Sequence, residues 1–268
     1  RERLSPVRLE MQGKSTQLRT MLEEKLKLSR HQTYVCSCPL NLKYVYKLKI
    51  DDKSLYYEPY TPIFPDYLSQ GMSMWEQINQ RDILLFYPYH SMQPFLKLLK
   101  ESAFDPGVIS IQMTIYRLAH NSAVVKYLCA AAENGKAVTV IVELRARFDE
   151  KNNIEWAQEL EQSGCNVIYG VENYKCHSKI CLITRQEKNG RISYITQIGT
   201  GNYNENTAAL YTDFSFFTAD SSIAEDAVDF FRNMLIGNIE ASYKKLLIAP
   251  YEMKKSIISL IDDEIDKG

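Results

Sequence analysis

Apolar and polar positions alternate in two regimes along the chain. Up to about residue 70 the pattern is mixed. Residues 15–29 have the apolar spacing of a short amphipathic helix with Ser15 at its N-cap, and the tyrosine- and proline-rich residues 56–65 read as an extended connection. From Gly71 onward the spacing sharpens. The run Ile83-Leu84-Leu85-Phe86-Tyr87, closed by Pro88, predicts a buried strand, and residues 91–102 predict a helix capped by Ser91. Strand and helix then alternate: a strand over 108–116, an alanine-rich helix over 122–133 stopped by Asn134-Gly135, and a β-branched strand over 137–144. A helix over 153–163 ended by Gly164 and a short strand over 166–169 follow. Residues 180–185 and 192–199 flank Lys188-Asn189-Gly190, whose Asn-Gly step suits a hairpin turn. A strand over 213–218, a helix over 222–235 capped by Ser221 or Ser222, and a helical pattern over 253–266 complete the chain.

Nearly continuous apolar strands separated by helices predict an α/β fold: a mixed, largely parallel sheet flanked by helices on both faces, with the hairpin as its antiparallel part. At 268 residues the chain has room for one large domain or two smaller ones. It contains no internal repeat and no low-complexity segment.

The net charge of −1 gives no overall attraction to nucleic acid, so any anion site must be local. Six cysteines lie in apolar segments without a Cys-x-x-Cys pair and read as free thiols of a cytoplasmic protein. Association with a membrane surface stays open, and no run of 18 uncharged apolar residues is present. The chain begins on Arg1-Glu2-Arg3 and ends just after a helical pattern, which reads as a piece of something longer.

Candidate chemistry concentrates in Tyr174-Lys175-Cys176-His177-Ser178-Lys179, which enters an apolar strand. Residues i and i+2 of a strand share a face, roughly 6.5–7 Å apart, so His177 and Lys179 can present an imidazole and a cation to one phosphoryl group. Gly199-Thr200-Gly201-Asn202 follows after the hairpin, and small residues of this kind suit a backbone turn wrapped around phosphate oxygens. Arg117 and Arg147 follow two strands at their carboxyl ends, where ligands of such sheets collect, and guanidinium forks suit phosphate. Either arginine taken singly also reads as a solvated loop residue. Asp149 and Glu150 suit metal ligation or a salt bridge to Arg145 or Arg147, and the salt bridge is the expectation. Asp213 is the candidate to orient the His177 ring, with a strand-start turn residue as the alternative. His31 and His120 read as surface residues, and His90 as a cap for the helix that follows it.

The stretches IQMTIYR (111–117), AAENGK (131–136), VELRARFDEKNN (142–153), His177-Ser178-Lys179 and IGTGNYNENTAALYTD (198–213) succeed one another with little insertion. Together they resemble the bacterial polyphosphate kinases of the histidine-phosphorylating type, most closely over about residues 83–218. That family has a phospholipase-D-like catalytic core of two similar domains behind a helical amino-terminal domain and a head domain. The resemblance implies that residues 1–75 are the tail of the head domain, 76–246 the first catalytic domain, and 247–268 the start of the second. It implies reversible transfer of the terminal phosphate of ATP to polyphosphate, with ADP as product, through a phosphohistidine at His177. Arg117 and Arg147 match the arginines of the magnesium–phosphate site, where a guanidinium grips phosphates that Mg²⁺ also bridges rather than the metal itself. Tyr211 matches a tyrosine that contacts the nucleotide. Family members form dimers or tetramers, so a homo-oligomer is the expectation, with no nucleic-acid partner. Two positions depart from the family: Gln197 stands where histidine is common, and Ala209 where arginine is common.

Two other functions compete. Phosphodiesterases of the phospholipase D kind also use His-x-Lys, but they usually carry an aspartate five residues after the lysine, where this chain has Thr184. A non-catalytic polyphosphate-binding module would need no nucleophile. Because a phospholipase-D-like site pairs two half-sites and only one His-x-Lys is present, the isolated chain is expected to have little kinase activity.

Overall fold

The computed structural model describes residues 5–58, 60–119, 121–143, 150–171 and 174–268, with only the backbone described at 150–152. Contacts divide the chain into two compact units, Arg1–Pro59 and Tyr60–Gly268.

In the first unit, strand β1 (Leu9–Gln12), helix α1 (Thr16–Leu26) and strand β2 (Thr33–Cys36) form a small crossover. The two strands pair in parallel, Leu9 opposite Thr33. Ser15 caps α1 as expected, its side chain accepting from Leu18 N–H. Four-residue strands such as Leu-Glu-Met-Gln carry too little alternation to announce themselves, so this pair was not expected from the local pattern.

The second unit begins with α2 (Met74–Gln80), a short helix closed by a capping box between Ser73 and Glu76 and also unforeseen. It continues with β3 (Ile83–Tyr87), α3 (Gln93–Phe104), β4 (Val108–Ile115), α4 (Ala123–Glu133), β5 (Ala137–Val142), α5 (Glu150–Gln162) and β6 (Asn166–Ile168). Then come the hairpin of β7 (Ile180–Gln186) and β8 (Ile192–Gly199), α6 (Glu205–Ala208), β9 (Asp213–Thr218), α7 (Ser221–Leu235) and α8 (Met253–Lys267).

Seven strands form one mixed sheet in the order β3-β9-β8-β7-β4-β5-β6. Parallel pairing is confined to β4-β5-β6, the strands joined through α4 and α5; every other neighbour is antiparallel. The reason is connectivity: a helix returns the chain to the same end of the sheet, whereas the tight turn between β7 and β8 reverses it. Helices cover both faces. Phe95, Leu98, Leu99, Val124, Leu128 and Leu160, from α3, α4 and α5, share one core with Ile111 and Met113 of β4 and Cys181 and Ile183 of β7. Ile180 and Leu182, which point the other way, pack with Ala224, Ala227, Phe230 and Phe231 of α7.

Several boundaries differ from expectation. The N-cap of α3 is Met92, not Ser91, with Pro94 in the first turn. His90 does not cap that helix: its Nδ1 accepts from Phe86 N–H at 3.0 Å and closes the turn after β3. Asp220 caps α7 ahead of both serines, because its carboxylate reaches the N–H groups of Ser222 and Ile223. Helix α5 starts three residues early, which places Asn153 inside it with a buried side chain. Of the six cysteines, Cys129, Cys165 and Cys181 are buried, while Cys38 is exposed. Among the described residues no helix is long and apolar enough to cross a membrane.

Candidate functional site

The site lies where β4, β5 and the entrance to β7 meet. Thr114, fully buried near the end of β4, fixes that entrance: its hydroxyl donates to Ser178 O at 2.8 Å and accepts from Ile180 N–H at 3.1 Å. Residues 177–179 therefore precede the regular ladder and are held by a side chain instead. Strand β7 begins one residue after Lys179, so the His-x-Lys pair lies just ahead of the strand, and its two side chains meet.

Lys179 folds back on His177. Its Nζ donates to His177 O at 2.5 Å and lies 3.0 Å from His177 Nδ1 and 5.3 Å from the centroid of the Tyr116 ring. An ammonium can only donate, so this contact assigns the ring's acceptor to Nδ1 and its proton to Nε2. The Tyr116 ring meets His177 edge-on, centroids 4.6 Å apart at 74°. Arg117 sits beside this pair, its guanidinium carbon 5.5 Å from the Tyr116 centroid. The ring of His177 is exposed on its outer side, yet its pKa falls below 6.5: local desolvation comes first, then the charges of Lys179, Arg117 and Lys175. Lys179 is 5 % exposed, and its burial lowers its pKa against the opposing influence of Cys176 and Asp213. The site thus combines a neutral imidazole with a concentration of positive charge.

The Gly-Thr-Gly-Asn loop joins the same site from β8. Gly199 N–H donates to Lys179 O at 2.8 Å, tying the loop to the lysine. Thr200 donates to Asp213 Oδ1 at 2.8 Å and accepts from Phe214 N–H at 2.9 Å. Neither Gly199 nor Gly201 has a positive φ; the glycine at 201 is required by close approach to Asp213. The buried Oδ1 of Asn202 has no hydrogen-bond partner among the described residues. Asp213 is not hydrogen-bonded to His177: its carboxylate accepts from Thr200, and the imidazole is met by Lys179, on which the charge of Asp213 acts. Tyr211 is 63 % exposed, with its ring open to a stacking partner. Arg147, Arg145, Asp149 and His120 lie outside the described residues, as does the side chain of Glu150.

Gln197 fills the position where histidine was expected with a buried relay. Tyr203 OH donates to its Oε1 at 2.6 Å, and its Nε2 donates to Ser215 Oγ at 2.9 Å. An amide presents an acceptor oxygen and a donor NH₂ in a fixed orientation, which suits this pair of hydroxyls. Ala209 ends α6, and its carbonyl accepts from Tyr60 OH at 3.0 Å.

Beside His177 a cavity of about 380 Å³ opens between residues 174–178 and the segment after α7, with Phe230, Met234, Tyr243 and Leu247 on its apolar wall. Asp226 fixes that segment, its buried carboxylate accepting from the N–H groups of Lys244, Lys245 and Leu246. Sequence reasoning missed Tyr116, Thr114, Glu143, Asn153 and Asp226. Of these, the buried polar positions at strand ends, Thr114 and Glu143, were the most visible signal.

Residues 73–241 match the family model described as polyphosphate kinase C-terminal domain 1. The polyphosphate kinase of Exiguobacterium sibiricum is 43 % identical over 266 residues, covering 97 % of this chain and 37 % of that protein. The polyphosphate kinase of Staphylococcus haemolyticus is 40 % identical over 268 residues, covering 97 % and 37 %. The crystal structure of polyphosphate kinase from Porphyromonas gingivalis superposes with a TM-score of 0.82 at 31 % identity, covering 98 % of this chain and 40 % of that one. The chain therefore spans between a third and two fifths of the length of these relatives. A model match across more than half of the chain, together with the shared fold, places it in the polyphosphate kinase family.

Proposed function

We propose that the chain carries the nucleophile half of a site that moves the terminal phosphate of ATP onto polyphosphate, reversibly, through a phosphohistidine at His177. The contact between Lys179 and His177 carries this reading, because it places a cation against an imidazole that is neutral at pH 7. In the first step a ring nitrogen without a proton attacks the γ-phosphorus, the N–P bond forms, and the P–O bond to ADP breaks with its electron pair leaving on ADP. The other ring nitrogen keeps its proton. In the second step a terminal oxygen of polyphosphate attacks the same phosphorus and the P–N pair returns to the ring. A phosphoryl group, which only accepts hydrogen bonds, competes with His177 for Lys179, and the ring is released for attack as the lysine turns to the phosphate.

Arg117 and Arg147 fit as phosphate clamps for charge that spreads over the transferred group. Tyr211 fits as a platform for the base, and residues 199–202 as a cradle for phosphate oxygens. Among the described residues no group of three or more His, Cys, Asp or Glu side chains could hold a metal ion. In this reading Mg²⁺ would be held through nucleotide phosphates that the arginines also grip, where it would neutralise part of their charge. Asp213 serves in this reading by bracing the loop. Residues 76–246 would be the first catalytic domain, and the whole enzyme a homo-oligomer in the cytoplasm.

Incubation of the full-length enzyme with γ-labelled ATP and Mg²⁺ should leave an acid-labile, base-stable label that disappears in His177→Gln. Label retained by that variant would overturn the assignment.

A further inference from the structure

The sheet ladder between β4 and β5 ends where Glu143 N–H donates to Ile115 O at 3.0 Å. One residue further on lie two carbonyls, Tyr116 O and Glu143 O, just past the last paired residues Ile115 and Val142. Asn153 reaches back from α5 and donates its Nδ2 to both, at 2.9 Å each. An amide NH₂ is among the few side-chain groups that can serve two carbonyls at once. Asn153 is 1 % exposed, so nothing in solvent competes for these bonds. Glu143, also buried, extends the connection: its Oε2 accepts from Cys176 N–H at 2.9 Å. The imidazole is thereby fixed from two sides. Tyr116, whose ring packs edge-on against His177, is held by its carbonyl; Cys176, the peptide neighbour of His177, is held by its N–H.

We propose that Asn153 and Glu143 are a pair of positioning residues for His177. They act by fixing the separation of Tyr116 from the Cys176–His177 peptide. This rests on the phosphohistidine reading for its catalytic meaning, although the geometry it describes exists without nucleotide. Helix α5 does not need Asn153 for its attachment, since Trp156, Ala157 and Leu160 already bury its inner face. Without the pair, the Tyr116 ring and the imidazole are free to separate, water reaches the inner face of His177, and the ring loses the preference for one tautomer.

The test reads His177 directly, without nucleotide, in the chain labelled with ¹⁵N imidazole and assigned by comparison with His177→Gln. Among the described residues the charged groups acting on the ring are Lys179, Arg117 and Lys175, with Asp213 and Cys176 acting on Lys179; Glu143, whose carboxylate acts on Cys176, is removed alike by Glu143→Ala and Glu143→Gln, so the contrast between those two isolates the hydrogen bond. Asn153→Leu and Glu143→Ala should raise the His177 midpoint toward 6.5 by about 0.3 pH unit or more and mix its tautomers. Glu143→Gln, which keeps an acceptor for Cys176 N–H, should stay within about 0.2 unit of the parent chain. If Asn153→Leu does not fold, the contrast between Glu143→Ala and Glu143→Gln decides. An unaltered His177 midpoint and tautomer in Asn153→Leu and Glu143→Ala, even with a lower melting temperature, would reduce the pair to a structural tie and overturn the proposal. Absence of a phosphohistidine label at His177 in the full-length parent enzyme, with these shifts observed, would instead count against the phosphohistidine reading alone.

Discussion

A methyl group on Gly201 would lie 2.5 Å from Oδ2 of Asp213 and 2.9 Å from its Cβ. The carboxylate is held there by Thr200, so the loop and the first residue of β9 are packed backbone to side chain. Gly199 is less constrained: its added methyl would sit 3.2 Å from Gln197 Nε2.

Gly201→Ala should therefore lower stability by about 1–3 kcal/mol, the usual effect of overpacking, and disorder the loop. Urea denaturation of Gly201→Ala beside the double variant Gly201→Ala/Asp213→Gly measures this. The second change should restore part of the loss, and equal midpoints in the two variants would show that Asp213 is not the obstacle.

His177 should titrate below 6.5, and Lys179→Met should move its midpoint upward, because a neighbouring cation disfavours the imidazolium. The folded chain resists protonation that the unfolded chain accepts. This contribution is therefore present above about pH 6.5 and declines as pH falls from there through the lower folded midpoint. Titration by NMR checks the sign; a downward shift in Lys179→Met contradicts the contact described above.

Asp226 has a lowered pKa even though burial, the largest influence on it, acts in the opposite direction; the N–H groups of Leu246, Lys245 and Lys244 outweigh it. Its stabilisation is present above the unfolded value near 3.8 and is lost as pH falls through the lower folded value. Asp226→Ala leaves those N–H groups without their acceptor and should cost roughly 2–4 kcal/mol. Amide exchange at residues 244–246 should accelerate in the variant, and unchanged exchange would show that another group holds the segment.

Arg117→Ala in the full-length enzyme should reduce turnover by roughly two orders of magnitude or more, with lysine a poor substitute because it lacks the planar fork. Arg147 is expected to behave alike. Steady-state assays with ATP and polyphosphate test both, and near-normal turnover in Arg117→Lys would show that only the charge matters.

The sequence by itself determined most of the second unit's elements. Continuous apolar runs such as 108–115 and 180–183 announce buried strands whatever surrounds them, and Ser15 and Ser122 act as N-caps through contacts only two or three residues away. It also determined the candidate chemistry at His177, Lys179 and residues 199–202, because those signals are local in the chain. Strand order was decided by tertiary structure, since pairing β7 with β4 joins residues about seventy positions apart. So were the partners of the polar side chains. Asp213 was matched with His177 on chemical type, but the fold gives it to Thr200, and Lys179 takes the ring. Asn153 reads locally as the start of a helix; only burial beneath the ends of β4 and β5 turns it toward two carbonyls. Local patterning specifies which segments are strands and helices, whereas a hydrogen bond between distant side chains exists only once packing has excluded water and fixed their separation.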